Sequence, residues 1–151
     1  MVYKQKSKYV YMLSVLLLLL AGTVNPAFAG PRIAIIVNSQ NKQHLSLQDV
    51  TNIYNDKVIT WENGDKIDVY NLPSSSQARE VFSRALLGLS AIGAAAEESN
   101  RRITNTSRNP QFLKRERLVR LAVGADKNAI GYINAENVGN KKDLKVLFII
   151  E

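Results

Sequence analysis

Ile67-Asp68-Val69-Tyr70-Asn71-Leu72-Pro73-Ser74-Ser75-Ser76-Gln77-Ala78-Arg79-Glu80-Val81-Phe82 changes its hydrophobic period part-way along. Up to Leu72 the apolar residues alternate with polar ones, the two-residue period of a half-buried strand. From Ala78 onward Ala78, Val81, Phe82, Ala85, Leu86 and Leu89 recur at i, i+3, i+4, i+7, i+8 and i+11, the stripe of an amphipathic helix. Between the two lie three serines, residues suited to open a helix. A strand that turns through serines into a helix is the basic unit of an α/β layer.

Working outward, the same grammar repeats. Ile33 to Val37 is an unbroken apolar run bounded by Pro31 and Asn38, which predicts a buried strand. Ser46-Leu47-Gln48-Asp49 has the form of a capping box, and Leu47, Val50, Ile53 and Tyr54 continue it at helical spacing. Asn63-Gly64-Asp65 marks a turn. After the Ala78 helix, Ser90 begins an alanine-rich helix expected to run through Glu98, with Arg101 to Asn109 as loop and Pro110 as a stop. Leu113 to Val123 predicts a further helix, basic on one side, with Leu118, Leu121 and Ala122 inward and Gly124 at its end. Ile130–Ile133 and Leu144–Ile150 predict two more strands. Strands separated by helices imply an α/β fold with a mostly parallel or mixed sheet of about four strands flanked by four helices.

The N-terminus has a separate logic. Lys4, Lys6 and Lys8 precede an apolar run from Tyr9 to Ala21, Asn25-Pro26 breaks it, and Ala27-Phe28-Ala29 offers small residues at a cleavage site. Residues 1–29 are therefore expected to be a signal peptide cut between Ala29 and Gly30, which places residues 30–151 in the periplasm as one domain of 122 residues. Three of the 20 basic residues and none of the 13 acidic ones fall in that segment, leaving 17 against 13, a net charge of +4. No apolar run long enough to span a membrane follows it. The chain has no cysteine, so disulfides, thiol chemistry and lipidation are excluded. A single histidine, His44, and scattered carboxylates suggest neither a nucleophile–base pair nor a metal site, so a non-enzymatic protein without cofactor is expected. A nucleic-acid partner is not expected for an exported chain.

Three ordered segments carry a resemblance. They are Leu45-Ser46-Leu47 with Ile53-Tyr54-Asn55-Asp56-Lys57, Thr60-Trp61 and Gly64; Ser76-Gln77-Ala78-Arg79-Glu80-Val81-Phe82; and Asn128-Ala129-Ile130-Gly131-Tyr132-Ile133. In this order they resemble the phosphate-type substrate-binding proteins of ABC transporters, a branch of the type 2 periplasmic binding proteins, and specifically their short single-lobe members. The resemblance implies a single periplasmic-binding-protein-like lobe with a phosphate loop at Ser76. That loop departs from the family: Gln77 and Ala78 replace glycine and threonine, Leu72 stands for a phosphate-contacting arginine, and Ser74 for an acidic residue. Full-length members also carry a further lobe before the strand at Ile33.

The residues of the loop suit an anion without any family argument. A helix N-terminus offers free N–H groups and the positive end of a dipole. Ser74, Ser75, Ser76 and Gln77 add side-chain donors, and Arg79 in the first turn is expected to add charge. The expected ligand is a small oxyanion such as phosphate. The alternative is a ligand-free interaction module of the cell envelope, with a protein partner or a second copy of itself on the open face. Arg101, Arg102, Arg108, Lys114, Arg115, Arg117 and Arg120 form a second basic cluster, read either as a solvated face or as a surface for anionic lipid, polysaccharide or an acidic partner. Trp61 and Tyr132 are expected in the core or at the lobe edge.

Overall fold

The computed structural model describes residues 30–105, 110–140 and 142–151. The expected signal peptide and its cleavage site lie outside the described residues, as does Arg108. The strands are β1 (Ile33–Asn38), β2 (Asp68–Asn71), β3 (Gln111–Phe112), β4 (Ala129–Asn134) and β5 (Leu144–Ile150). The helices are α1 (Leu47–Tyr54), α2 (Gln77–Phe82), α3 (Ala91–Asn105) and α4 (Glu116–Ala125). A π-helical turn, Ser83–Leu87, continues α2 and ends at Gly88 in the left-handed conformation.

The fold is a mixed α/β layer. One sheet runs β3-β2-β4-β1-β5, with β2 parallel to β3 and β4, and β1 antiparallel to β4 and β5. Among the described residues five strands stand where about four were expected. The extra one, β3, is two residues long and carries no period for sequence reasoning to detect. The crossovers from β2 to β3 and from β3 to β4 move in opposite directions along the sheet. A common handedness then puts their helices on opposite faces. The packing agrees. Tyr132 on β4 stacks on Phe82 of α2 with ring centroids 3.9 Å apart, and Phe82 lies 4.6 Å from Tyr54 of α1. The next residue toward the N-terminus, Gly131, faces the other layer. A Cβ there would come within 2.6 Å of Val119 Cγ1 and 3.1 Å of Val123 Cγ2, so only glycine lets α4 approach so closely. Along β1 every residue is buried, as the unbroken apolar run requires of a strand covered on both faces.

Local signals decided several boundaries. The Ser46 hydroxyl accepts from Asp49 N–H and the Asp49 carboxylate accepts from Ser46 N–H, the reciprocal pair that starts α1. Two expectations failed. Of the loop expected from Arg101 to Asn109, residues 101–105 form the last turn of α3, and residues 106–109 lie outside the described residues. Arg101 is held there by Asp56 at 3.1 Å and by the Tyr54 carbonyl, and Arg102 by the Pro110 carbonyl. Leu118 and Leu121 do not point inward. Val119 and Val123 take the buried face, and Glu116 and Arg120 fix that rotation by bonding Asn134 N–H and the Val138 carbonyl.

Candidate functional site

Because β2 and β4 are parallel, their carboxyl ends lie at one end of the sheet. The amino end of β1 and the carboxyl end of β5 lie there too, since Ile33 pairs with both Asn134 and Ile150. Ligands of open α/β sheets sit outside the carboxyl ends of the strands. Residues 72–77 leave β2 at this end. Ser74, Ser75 and Gln77 are exposed and Ser76 is half-buried.

The turn is shaped locally. Ser76 N–H bonds the Pro73 carbonyl at 2.9 Å, and Ser76 then takes the N-cap position with φ −78° and ψ 132°. Its hydroxyl makes no cap bond. The first intrahelical bond is Glu80 N–H to Ser76 C=O at 3.1 Å. The N–H groups of Gln77, Ala78 and Arg79 therefore have no acceptor within the helix. Glu80, the acidic residue of the first turn, is drawn away: it accepts from Ala91 N–H at 2.7 Å and pairs with Arg84.

Arg79 stands elsewhere than its sequence position suggested. Its side chain is buried (0% exposed) beneath the loop rather than at the helix end. Nη1 donates to the Leu72 carbonyl at 2.8 Å and Nη2 to Glu98 Oε1 of α3 at 2.8 Å. Asn71 Nδ2 donates to the same Glu98 oxygen at 2.9 Å, while Asn71 Oδ1 accepts from Tyr132 Oη and from Leu72 N–H. Arg79 thus pins the strand exit that carries the serines. Desolvation in this aromatic core pushes the phenols of Tyr54 and Tyr132 well above their ordinary range, so both are neutral donors. The network was not legible in the sequence, since Glu98 lies 19 positions from Arg79.

Sequence reasoning also passed over Arg32. It is exposed, and its carbonyl accepts from Ala135 N–H at 2.8 Å, which fixes it at the serine end of the sheet. A Cβ built on Gly30, two residues earlier, would lie 3.9 Å from Val81 Cγ2 on α2. Only the strand order reveals this neighbourhood.

The other expected residues are spread out. Trp61 is buried and donates Nε1–H to the Asn128 carbonyl at 3.1 Å, at the opposite end of the sheet. Tyr132 is in the core, and His44 is exposed. A groove of about 260 Å³ between α1 and β2 is lined mainly by Ile53, Val58, Ile59, Ile67 and Val69 and offers little to an anion. Among the described residues no group of three metal-ligating side chains converges, and no helix is long and apolar enough to cross a membrane.

No protein-family model matches the sequence, and no curated protein matches it. Solved structures do match. An ABC-type phosphate transport receptor from Vibrio cholerae is 20% identical with a TM-score of 0.57, covering 80% of this chain and 47% of its own. A protein of Clostridium perfringens, assigned as a phosphate ABC transporter substrate-binding protein and solved with bound phosphate, is 24% identical with a TM-score of 0.57 over 72% and 42%. PstS from Borrelia burgdorferi is 18% identical with a TM-score of 0.54 over 72% and 44%. The fold of this chain is that of phosphate ABC transporter substrate-binding proteins, carried over less than half of their length.

Proposed function

We propose that the chain is a non-catalytic periplasmic binding protein that takes a small oxyanion, phosphate or a close analogue, at the Ser74–Gln77 turn. The observation that carries the reading is the set of backbone donors at Gln77, Ala78 and Arg79, opened at the carboxyl ends of parallel strands beside a serine hydroxyl that does not cap its own helix. The likeness in fold to phosphate-binding proteins supports the same ligand class. Ser75 and Ser76 donate hydroxyl hydrogen bonds, and Gln77 adds an amide. Arg79 acts from beneath, holding the Leu72 carbonyl so that the turn keeps its shape. Arg32 is an exposed cation at that end of the sheet and supplies charge that Arg79 does not present.

The test is a thermal-denaturation titration with phosphate and sulfate. Ligand at 100 times its Kd stabilises a one-site protein by about 2.7 kcal/mol. Gln77→Pro is the decisive variant. Proline is well tolerated at the first helical position, and the extended backbone of Ser76 suits a residue before proline. It removes one donor and keeps the fold. Stabilisation by millimolar anion that weakens in Gln77→Pro and in Ser76→Ala supports the site. Absence of any shift in the wild type ends the reading.

A further inference from the structure

The rotation of α4 leaves an unusual outer face. Glu116 and Arg120 are tied inward to Asn134 N–H and to the Val138 and Asn140 carbonyls, and Val119 and Val123 fill the layer below. What turns to solvent on one side of the helix is Arg117, Leu118, Leu121 and Ala125, with Lys114 exposed in the bend just before it. Leu118 is 44% exposed and Leu121 50%. Arg115 is exposed beside them. The only carboxylate within the helix, Glu116, is on the inner side.

We propose that this face of α4 is a docking surface for an anionic phospholipid bilayer. The three cations match the negative headgroups, and the two leucines need an apolar medium that a soluble polyanion does not offer. The stripe is a convex helix face, so the complementary surface is broad and flat. An amphipathic helix with basic residues and leucines on one side lies in the plane of the interface with its apolar residues at the acyl boundary. Near an anionic surface each Lys or Arg strengthens binding about fivefold. The attachment is peripheral, reversible and weakened by salt. It is independent of the oxyanion turn, which belongs to the other helical layer.

The experiment reads the position of this face directly. The chain has no cysteine, so Ala125→Cys carries an environment-sensitive fluorophore at a unique site next to the leucines. Gln48→Cys, exposed on α1 in the opposite layer, is the control. The full chain is mixed with vesicles of phosphatidylcholine alone or with phosphatidylglycerol. The expected result is a blue shift of the label at position 125 with phosphatidylglycerol vesicles only, reversed by 1 M salt, and none at position 48. Lys114→Gln with Arg117→Gln weakens it about 25-fold, and Leu118→Ser with Leu121→Ser abolishes the blue shift. Equal shifts at both positions, or with phosphatidylcholine alone, show that another segment inserts and overturn the proposal. So does a silent label at position 125, and so does a shift produced by a soluble acidic polypeptide as readily as by vesicles.

Discussion

Removing Glu98 leaves a guanidinium with nowhere to go. Arg79 is fully enclosed, and Glu98 is its counterion at 2.8 Å with both side chains essentially inaccessible. Truncating one partner of a buried pair strands the other charge and costs about 3–5 kcal/mol. Glu98→Leu should therefore lower stability by that amount, against a total of about 5–15 kcal/mol for a typical domain. Arg79→Met should cost about the same, since it takes the cation from a buried carboxylate and deprives the Leu72 carbonyl of its donor. The double variant strands no charge. It still leaves Asn71 Nδ2 and the Leu72 carbonyl short of a partner, at about 1–3 kcal/mol each. Its cost should fall short of the sum of the single costs by about 3 kcal/mol, the upper end of the range of about 0.5–3 kcal/mol seen for residues in direct contact. Urea unfolding of the four proteins, with slopes compared to confirm a common denatured state, measures this coupling. Single costs that add within about 0.5 kcal/mol would refute the reasoning. Arg79 and Glu98 would then be solvated or separately compensated, and the pinned turn would lose its physical basis.

Gly131→Ala forces a methyl group into Val119 Cγ1 and Val123 Cγ2, and overpacking of that kind costs about 1–3 kcal/mol; combining it with Val119→Ala should cost less than the two changes separately, read by thermal denaturation. Glu80 accepts from Ala91 N–H and lies beside Arg84, which holds its carboxyl below the ordinary 4.5. The unfolded chain then binds more protons in that range, so the Glu80 contribution is complete above pH 4.5 and disappears as pH falls through the lowered folded value; urea midpoints measured from pH 6 down to about 3 should fall less steeply in Glu80→Gln. Burial raises the phenols of Tyr54 and Tyr132 above 10, so stability holds below pH 10 and is lost above it; Tyr132→Phe should flatten alkaline unfolding followed by circular dichroism.

Much of the architecture was written locally. The capping box at Ser46, the unbroken run of β1 and the change of period before Ser76 each need only neighbouring residues to be understood, and each stands as expected. What was not legible depends on partners distant in sequence. Arg79 looks like a first-turn cation until Glu98 is folded beside it. Leu118 and Leu121 satisfy an inward helical period as well as Val119 and Val123 do, and the choice between the two faces rests on the space left by Gly131 in β4 together with the bonds of Glu116 and Arg120 to Asn134 N–H and the Val138 carbonyl. The last turn of α3 reads as polar loop because its stabilising partners, Asp56 and the Tyr54 carbonyl, lie in α1 and the turn after it.

These displacements bear on what the oxyanion turn can distinguish. Leu72 occupies the strand exit where the family resemblance implies an arginine, and the nearest arginine in sequence, Arg79, is neutralised by Glu98 inside the core. The turn therefore relies on backbone N–H groups, hydroxyls, the Gln77 amide and a helix end worth about half a positive charge, with Arg32 as the nearby cation. Ser74 stands where the resemblance implies an acidic residue, and Glu80 is already bound to Ala91 N–H and Arg84. Neither position thus offers a free carboxylate to accept the proton of a hydrogen-phosphate ion, the feature by which a site could separate phosphate from fully ionised sulfate. Without a carboxylate acceptor from Ser74 or Glu80, binding follows mainly charge and size, which the two anions nearly share. Sulfate should bind within about tenfold of phosphate, a difference below about 1.4 kcal/mol, when both are titrated calorimetrically at pH 7. A preference for phosphate of a hundredfold or more would require an acceptor at the turn and would contradict the geometry of Ser74, Ser76 and Glu80. Ser74→Asp should then create that preference, lowering sulfate affinity more than phosphate affinity.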